Sequence, residues 1–239
     1  MKYSQKAGGF AALFEAAAYV FGMVFFLILV DSSGAVQPAQ KVALLVDNLL
    51  STQAMILFDY VVFGVALVVL VLALHDRLQA GSPAIMQTAT AFGLIWACLL
   101  IASGMVFISG SAAVAALYSS DPSQAAAIWF TIDTVHAGLG GEGEILGGLW
   151  TLLISLAALR TGALPKALNY IGVVVGVAGI LSIVPGLSVL VGIFVLGQIA
   201  WFVWIGILML RHNPNVVVRQ LEVEIPTTAQ RQTNAAATS

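Results

Sequence analysis

The stretch "VLVGIFVLGQIAWFVWIGILML" (Val189–Leu210) contains no charged residue. A helix needs about 20 consecutive apolar residues to cross the hydrocarbon core of a bilayer. This stretch is long enough, and membrane helices tolerate its glycines because neighbouring helices protect the backbone. It therefore predicts a membrane-spanning helix.

The composition of the whole chain agrees with that prediction. Of the 239 residues, 60% are hydrophobic and 8% are charged, whereas ordinary soluble domains carry about 25% charged residues. The mean hydropathy is +1.02, so the solvent expected for most of the surface is the lipid bilayer. The net charge is −2 and no basic patch is present, which argues against a nucleic-acid partner. Cys98 is the single cysteine, so an intrachain disulfide is excluded.

Five other stretches are also apolar enough to cross a bilayer. With Val189–Leu210, the six predicted spans are Phe10–Val30, Ala54–His75, Thr88–Gly110, Gly143–Leu159, Leu168–Val184 and Val189–Leu210. The fold class predicted from them is all-α, a polytopic bundle of six transmembrane helices. Residues 1–211 would form the membrane domain, and residues 212–239 a polar and largely disordered cytoplasmic tail.

The distribution of lysine and arginine predicts the orientation of these spans. With the N-terminus inside, eight of the nine basic residues fall on inner segments, and only Lys41 falls outside. Both termini are therefore expected in the cytoplasm. Outside, Pro38–Leu50 has the spacing of an amphipathic helix, and Ala116–Ala127 is expected to form a turn.

Acidic residues are distributed differently, and two of them lie inside predicted spans. At 1.5 Å per residue, Asp59 lies about 27 Å from the level of Arg77. Counting back from Arg160 in the same way places Glu144 about 24 Å away. Glu15 is predicted deeper in the membrane. Intramembrane acids are candidates for function, although Glu15 could instead form a structural hydrogen bond with Tyr19.

The stretch "HAGLGGEGEILGGLW" (His136–Trp150) concentrates polar residues just before the fourth predicted span. Asp133 and His136 share one face if that segment is helical. The glycines from Gly138 to Gly143 should then interrupt the helix. Whether residues 127–142 are re-entrant, interfacial or part of a long helix stays open.

Two interpretations of these acids remain. Glu142 and Glu144 could simply occupy the first turn of a helix, where the helix dipole favours carboxylates. Alternatively, they could contribute to an outward-facing polar pocket that holds a cation or a proton. The residues proposed for that pocket are Asp59, Asp133, His136, Glu142 and Glu144. No established metal-binding spacing is present, so the identity of any metal stays unknown.

The glycine pairs Gly143/Gly147 and Gly172/Gly176 have the spacing that lets membrane helices pack closely. They could pack within the chain or form a contact with another copy or another protein. An assembly subunit that binds partners through these faces is therefore one alternative function.

The second half of the chain, from "GGEGEILGGLW" through "TGALPKALNYIG" to the tryptophan-rich last helix, resembles bacterial polytopic membrane proteins of domain-of-unknown-function family 4386. The resemblance extends from Lys6 to Arg211. It implies a six- or seven-helix protein of the bacterial inner membrane, and it implies no activity and no catalytic residues.

The function predicted from the sequence is binding or transport of a small molecule or cation through the outward-facing acidic pocket. The alternatives are the assembly subunit and an intramembrane metal-dependent enzyme. An enzyme would need His136 and two carboxylates to converge on one point. No catalytic residue and no cofactor are assigned, and the partner that is expected in any case is the lipid bilayer.

Overall fold

The computed structural model of the protein describes residues 2–29, 37–141 and 144–211, and those residues form helices and turns without any strand. The α-helices are α1 (Lys2–Val24), α2 (Pro38–Asp47), α3 (Leu49–Ile56), α4 (Phe63–Leu78), α5 (Pro83–Tyr118), α6 (Pro122–His136), α7 (Ile145–Thr161), α8 (Lys166–Leu181) and α9 (Val189–Arg211). Within the described residues, π-helical turns occupy Phe25–Leu29, Leu57–Val62 and Ala137–Gly141. We call them the first, second and third π turns.

Five helical stretches are long and apolar enough to cross a membrane, and together they fit a multi-pass membrane protein. They are Gln5–Ile28, Leu49–Leu78, Pro83–Tyr118, Pro122–Thr161 and Val189–Arg211. The fifth predicted span corresponds to α8, which has only 16 residues and a length of about 24 Å. The count of six spans therefore stays a prediction. Large apolar side chains such as Val65, Leu72 and Val174 are exposed on the outside of the bundle, as lipid contact requires.

The third span is much longer than predicted. The sequence indicated Thr88–Gly110, but α5 runs from Pro83 to Tyr118 and is about 54 Å long. Proline is tolerated in the first turn of a helix, so Pro83 begins α5 rather than interrupting it. The turn predicted over Ala116–Ala127 is correspondingly shorter, because only residues 119–121 separate α5 from α6.

The predicted amphipathic helix is present as α2, and it ends at Asn48 before α3 begins. Val42 and Leu45 are buried on its apolar face. They belong to a small hydrophobic cluster, which also contains Ile56 of α3, Phe107 and Val114 of α5, and Ala125 and Trp129 of α6. This cluster is separate from the main core and explains why α5 continues beyond the predicted span.

The main core is built around aromatic side chains from α7 and α9. The rings of Trp150 and Trp201 meet edge to face with centroids 5.6 Å apart, and Phe202 packs against both. Buried side chains from α1, α4 and α5 complete this cluster. Tryptophan and phenylalanine bury a large apolar area in well-defined positions, so they fix how the helices meet.

Glycines bring α7 and α8 into backbone contact. A Cβ at Gly148 would lie 2.7 Å from the carbonyl oxygen of Gly176, and a Cβ at Gly172 would collide with the Ser155 hydroxyl. Gly147 packs against Phe194 and Trp96. These contacts occupy Gly147, Gly172 and Gly176 within the chain, whereas Gly143 lies outside the described residues.

The basic residues collect at one end of the bundle. Gln5 donates a hydrogen bond to the carbonyl of Met209 at 3.2 Å, and Gly8 packs against Ala73 and Met209. These contacts place Lys6 and Arg211 at the same end as the C-terminal part of α4. At that end Gly81 also contacts Thr161, the residue after Arg160. The described residues do not test whether this end faces the cytoplasm. The predicted cytoplasmic tail, residues 212–239, lies outside the described residues.

Candidate functional site

A cavity of about 250 Å³ lies between the helices, toward the end where α7 and α9 begin. Its wall combines acidic, aromatic and aliphatic side chains with two glycines. The lining residues are Tyr19, Gly22, Met23, Phe26, Asp59, Tyr60, Phe63, Leu100, Gly140, Glu144 and Val195. The cavity is partly open to its surroundings.

The three π turns all reach this cavity. Phe26 comes from the first, Asp59 and Tyr60 come from the second, and Gly140 comes from the third. A π turn widens a helix by one residue and changes the direction of its side chains, and such turns are frequent at functional sites. The sequence alone does not predict these turns, because the residue types that they contain also occur in ordinary α-helices.

The third π turn contains the interruption that the glycines predicted. Gly140 has φ of 124°, a backbone conformation that residues with a Cβ rarely adopt. The chain therefore leaves α6 and turns before α7 begins at Ile145. This confirms that residues 127–160 do not form one straight helix.

Asp59 occupies a site that depends on the helix opposite it. Its carboxylate lies so close to Gly22 of α1 that a Cβ there would collide with Oδ2. Oδ1 is buried without a hydrogen-bond partner among the described residues. The carboxyl group is therefore held at the cavity wall by steric fit, and its second oxygen is left unsatisfied.

Glu144 lies at the N-terminal end of α7, as predicted, and its backbone carbonyl accepts a hydrogen bond from Gly148 N at 2.8 Å. Its side chain forms no capping hydrogen bond with that helix. Instead Glu144 lines the cavity together with Asp59. Tyr19 lines the same cavity as both acids.

His136 lies next to the cavity, behind Tyr60. The two ring centroids are 4.9 Å apart, and Phe107 packs on His136 at 5.0 Å. Ser103 Oγ is 2.8 Å from the His136 carbonyl oxygen and 2.7 Å from Nδ1. The single hydroxyl proton must be donated to the carbonyl, so Nδ1 carries a proton and donates to Ser103 Oγ. This network fixes the orientation of the ring.

The other predicted pocket residues are placed differently. Asp133 lies one turn before His136 in α6, is partly exposed and does not line the cavity. Glu142 lies outside the described residues. The proposed approach of His136 to an acid therefore stays a prediction.

Glu15 is completely buried, and neither of its carboxyl oxygens has a hydrogen-bond partner among the described residues. The predicted hydrogen bond to Tyr19 is therefore absent, although the two residues are one helical turn apart. Tyr19 instead packs against Phe63, with centroids 5.4 Å apart, and faces the cavity. The spacing in the sequence suggested that Tyr19 would donate a hydrogen bond to Glu15, but the Tyr19 ring packs against Phe63 instead.

Sequence reasoning missed the role of Gly22, because only the packing of α1 brings it to Asp59. It also missed that Tyr60 and Phe63, which follow Asp59 in the chain, line the same cavity. Within the described ranges, no group of three or more His, Cys, Asp or Glu side chains is arranged to hold a metal ion. The site thus defines an acidic, partly aromatic cavity in an all-helical membrane protein. No family model, no curated protein and no solved structure matches this chain.

Proposed function

We propose that the protein binds a small cation in the cavity lined by Asp59 and Glu144, as a membrane binding or transport protein. The observation that supports this most directly is the presence of two carboxyl side chains in one cavity between apolar helices. Neither lysine nor arginine is among the residues that line it.

The electrostatic argument follows from the cost of burying charge. An ionised carboxylate away from water is expensive unless a cation or hydrogen-bond donors accompany it. Asp59 Oδ1 has no donor among the described residues. A cation in the cavity would balance the negative charge of the carboxylates of Asp59 and Glu144. This electrostatic interaction would favour its binding.

The alternative functions have less support. Gly147, Gly172 and Gly176, which were candidates for binding a partner protein, are packed inside the chain. A metal-dependent enzyme needs His136 to converge with two carboxylates, and His136 is behind Tyr60 rather than at the cavity wall. The resemblance to the family of unknown function and the location in a bacterial inner membrane stay predictions.

The proposal is tested by calorimetric titration of the full chain, purified in a non-ionic detergent, with chlorides of inorganic and organic monovalent and divalent cations. Asp59→Asn and Glu144→Gln should each weaken the binding of the cation at least about tenfold, because a charged interaction is worth about 1.5–3 kcal/mol. Asp47→Asn is the matched control, since Asp47 is an exposed acid at the end of α2. Equal affinities in all four proteins, or no cation binding at all, would contradict the proposal.

A further inference from the structure

We infer that the cation is a small organic ammonium ion with apolar substituents. This inference rests on the proposed function and specifies its ligand. It rests on three further properties of the cavity. These are its size, its aromatic side chains and the small number of side-chain oxygen atoms in its lining.

The cavity is larger than an inorganic ion needs. An engineered apolar cavity of about 150 Å³ already holds benzene, whereas this one has about 250 Å³. Apart from the two acids and the tyrosine hydroxyls, its side chains are apolar, including Met23, Leu100 and Val195. A ligand with alkyl or aryl groups fills such a space favourably, because apolar pockets bind apolar surface.

Aromatic rings form much of the wall. Tyr19, Phe26, Tyr60 and Phe63 all line the cavity. Tyr19 and Phe63 are in edge-to-face contact with each other, at an interplanar angle of 85°. The faces of aromatic rings attract ammonium groups, and sites that recognise quaternary ammonium ions combine several such rings.

Asp59 and Glu144 lie beside these rings and supply the negative charge. An ammonium nitrogen near the acids and alkyl groups against the rings would use both parts of the wall. Neutral molecules of the same shape would use only the apolar part, and they should therefore bind more weakly.

Hard inorganic cations fit less well. Calcium takes six to eight oxygen ligands, and magnesium requires near-octahedral geometry. Among side-chain oxygens, the described lining offers the carboxylates of Asp59 and Glu144 and the hydroxyls of Tyr19 and Tyr60. No metal-binding group of three side chains is found in the part of the chain that the structure describes.

The experiment is calorimetric titration of the full chain in non-ionic detergent with tetramethylammonium, choline and tetraethylammonium chlorides. Sodium, potassium, magnesium and calcium chlorides are titrated in parallel. The neutral probe is 3,3-dimethylbutan-1-ol, in which carbon replaces the nitrogen of choline. At least one ammonium ion should bind, and choline should bind at least about tenfold more tightly than its neutral analogue, as expected for a desolvated cation near aromatic rings and acids.

Two substitutions of Tyr19 separate the contribution of its aromatic ring to ammonium binding from that of its hydroxyl group. Tyr19→Leu removes the ring and should weaken ammonium binding about three- to tenfold, while Tyr19→Phe keeps the ring and should retain most of the affinity. Gel filtration and thermal unfolding check that both variants remain folded.

The possible failures are distinguishable. If an inorganic cation binds in an Asp59-dependent manner but none of the ammonium ions does, the proposed function stands and this inference is overturned. Equal effects of Tyr19→Leu and Tyr19→Phe would also overturn it. If choline and its neutral analogue bind equally, this inference is overturned, and if no cation binds up to about 10 mM, which is weaker than most specific ligand binding, both are wrong.

Discussion

At Asp59, two helices meet without room for a methyl group between them. The residue opposite is Gly22, and the contact is made by the carboxylate itself. Counting the helical rise from basic residues assigned Asp59 and Glu144 to similar depths, and both line the cavity. The sequence could not identify Gly22, because its role depends on how α1 packs against the second π turn.

Gly22→Ala should displace the Asp59 carboxylate from the cavity wall and weaken cation binding about tenfold or more, the loss expected of a misplaced charged contact. Calorimetric titration in detergent measures it. The control is Gly192→Ala in α9, where an added Cβ would meet open space. Alanine is favoured over glycine in helices by about 1 kcal/mol, so the control should be neutral or stabilising. Equal affinity in both variants would show that Asp59 is not held by this contact.

Glu15 provides a residue-scale test of stability. Its buried carboxyl group has no hydrogen-bond partner among the described residues, and such a group costs about 1–3 kcal/mol. Glu15→Met keeps a similar volume and should therefore raise the free energy of unfolding by a comparable amount, measured by detergent-induced unfolding.

Gln198→Met is the matched comparison for Glu15. Gln198 is equally buried, and its Nε2 also lacks a hydrogen-bond partner among the described residues, but its Oε1 accepts a hydrogen bond from Thr151 at 3.1 Å. Removing it leaves the Thr151 hydroxyl without that partner, so this variant should gain less stability or lose some. A larger loss for Glu15→Met than for Gln198→Met would mean that Glu15 is satisfied after all.

Among the elements, the three π turns decide where the cavity forms. Hydropathy predicted most of the helices, because each long apolar run has few alternatives to a helix in lipid. It could not predict the π turns, which depend on side-chain packing between helices rather than on local preference. It also placed the ends of α5 too close together, because nothing in that run signals where the membrane ends.

The third π turn gives the test at this scale. Gly140→Ala should destabilise the protein by about 1–3 kcal/mol, because φ of 124° is strained for any residue with a Cβ. Thermal unfolding measures the change, and the affinity for cations should fall as Glu144 moves. Gly138→Ala in the same turn is the control, since its φ is ordinary and its surroundings are open. Equal stability of the two variants would contradict the described path of the chain.

Over the whole molecule, charge is separated along the bundle. The basic residues near Gln5, Met209 and Thr161 share one end, and the cavity lies toward the other. Under the positive-inside rule, the basic end is predicted to face the cytoplasm, with the cavity closer to the outer surface. Sequence counting alone predicted this separation, since it depends only on which helix ends carry lysine and arginine.

Reporter fusions test this orientation. A fusion after Arg211 should report the cytoplasm, and one within residues 119–124 should report the outside, because an odd number of spans separates these positions in the predicted topology. A fusion after Arg77 serves as the control and should agree with the one after Arg211. The same location for residues 119–124 and Arg211 would contradict the six-span arrangement.

The position of a bound cation tests most directly whether the cavity lined by Asp59 and Glu144 is a cation-binding site. Crystals of the full chain grown with tetraethylarsonium, the arsenic analogue of tetraethylammonium, allow the arsenic atom to be located by its anomalous scattering. We expect one peak in the cavity between Asp59 and Glu144, beside the rings of Tyr19 and Phe63. A peak elsewhere, or an empty cavity in a protein that binds the ion in solution, would contradict the proposed cation site.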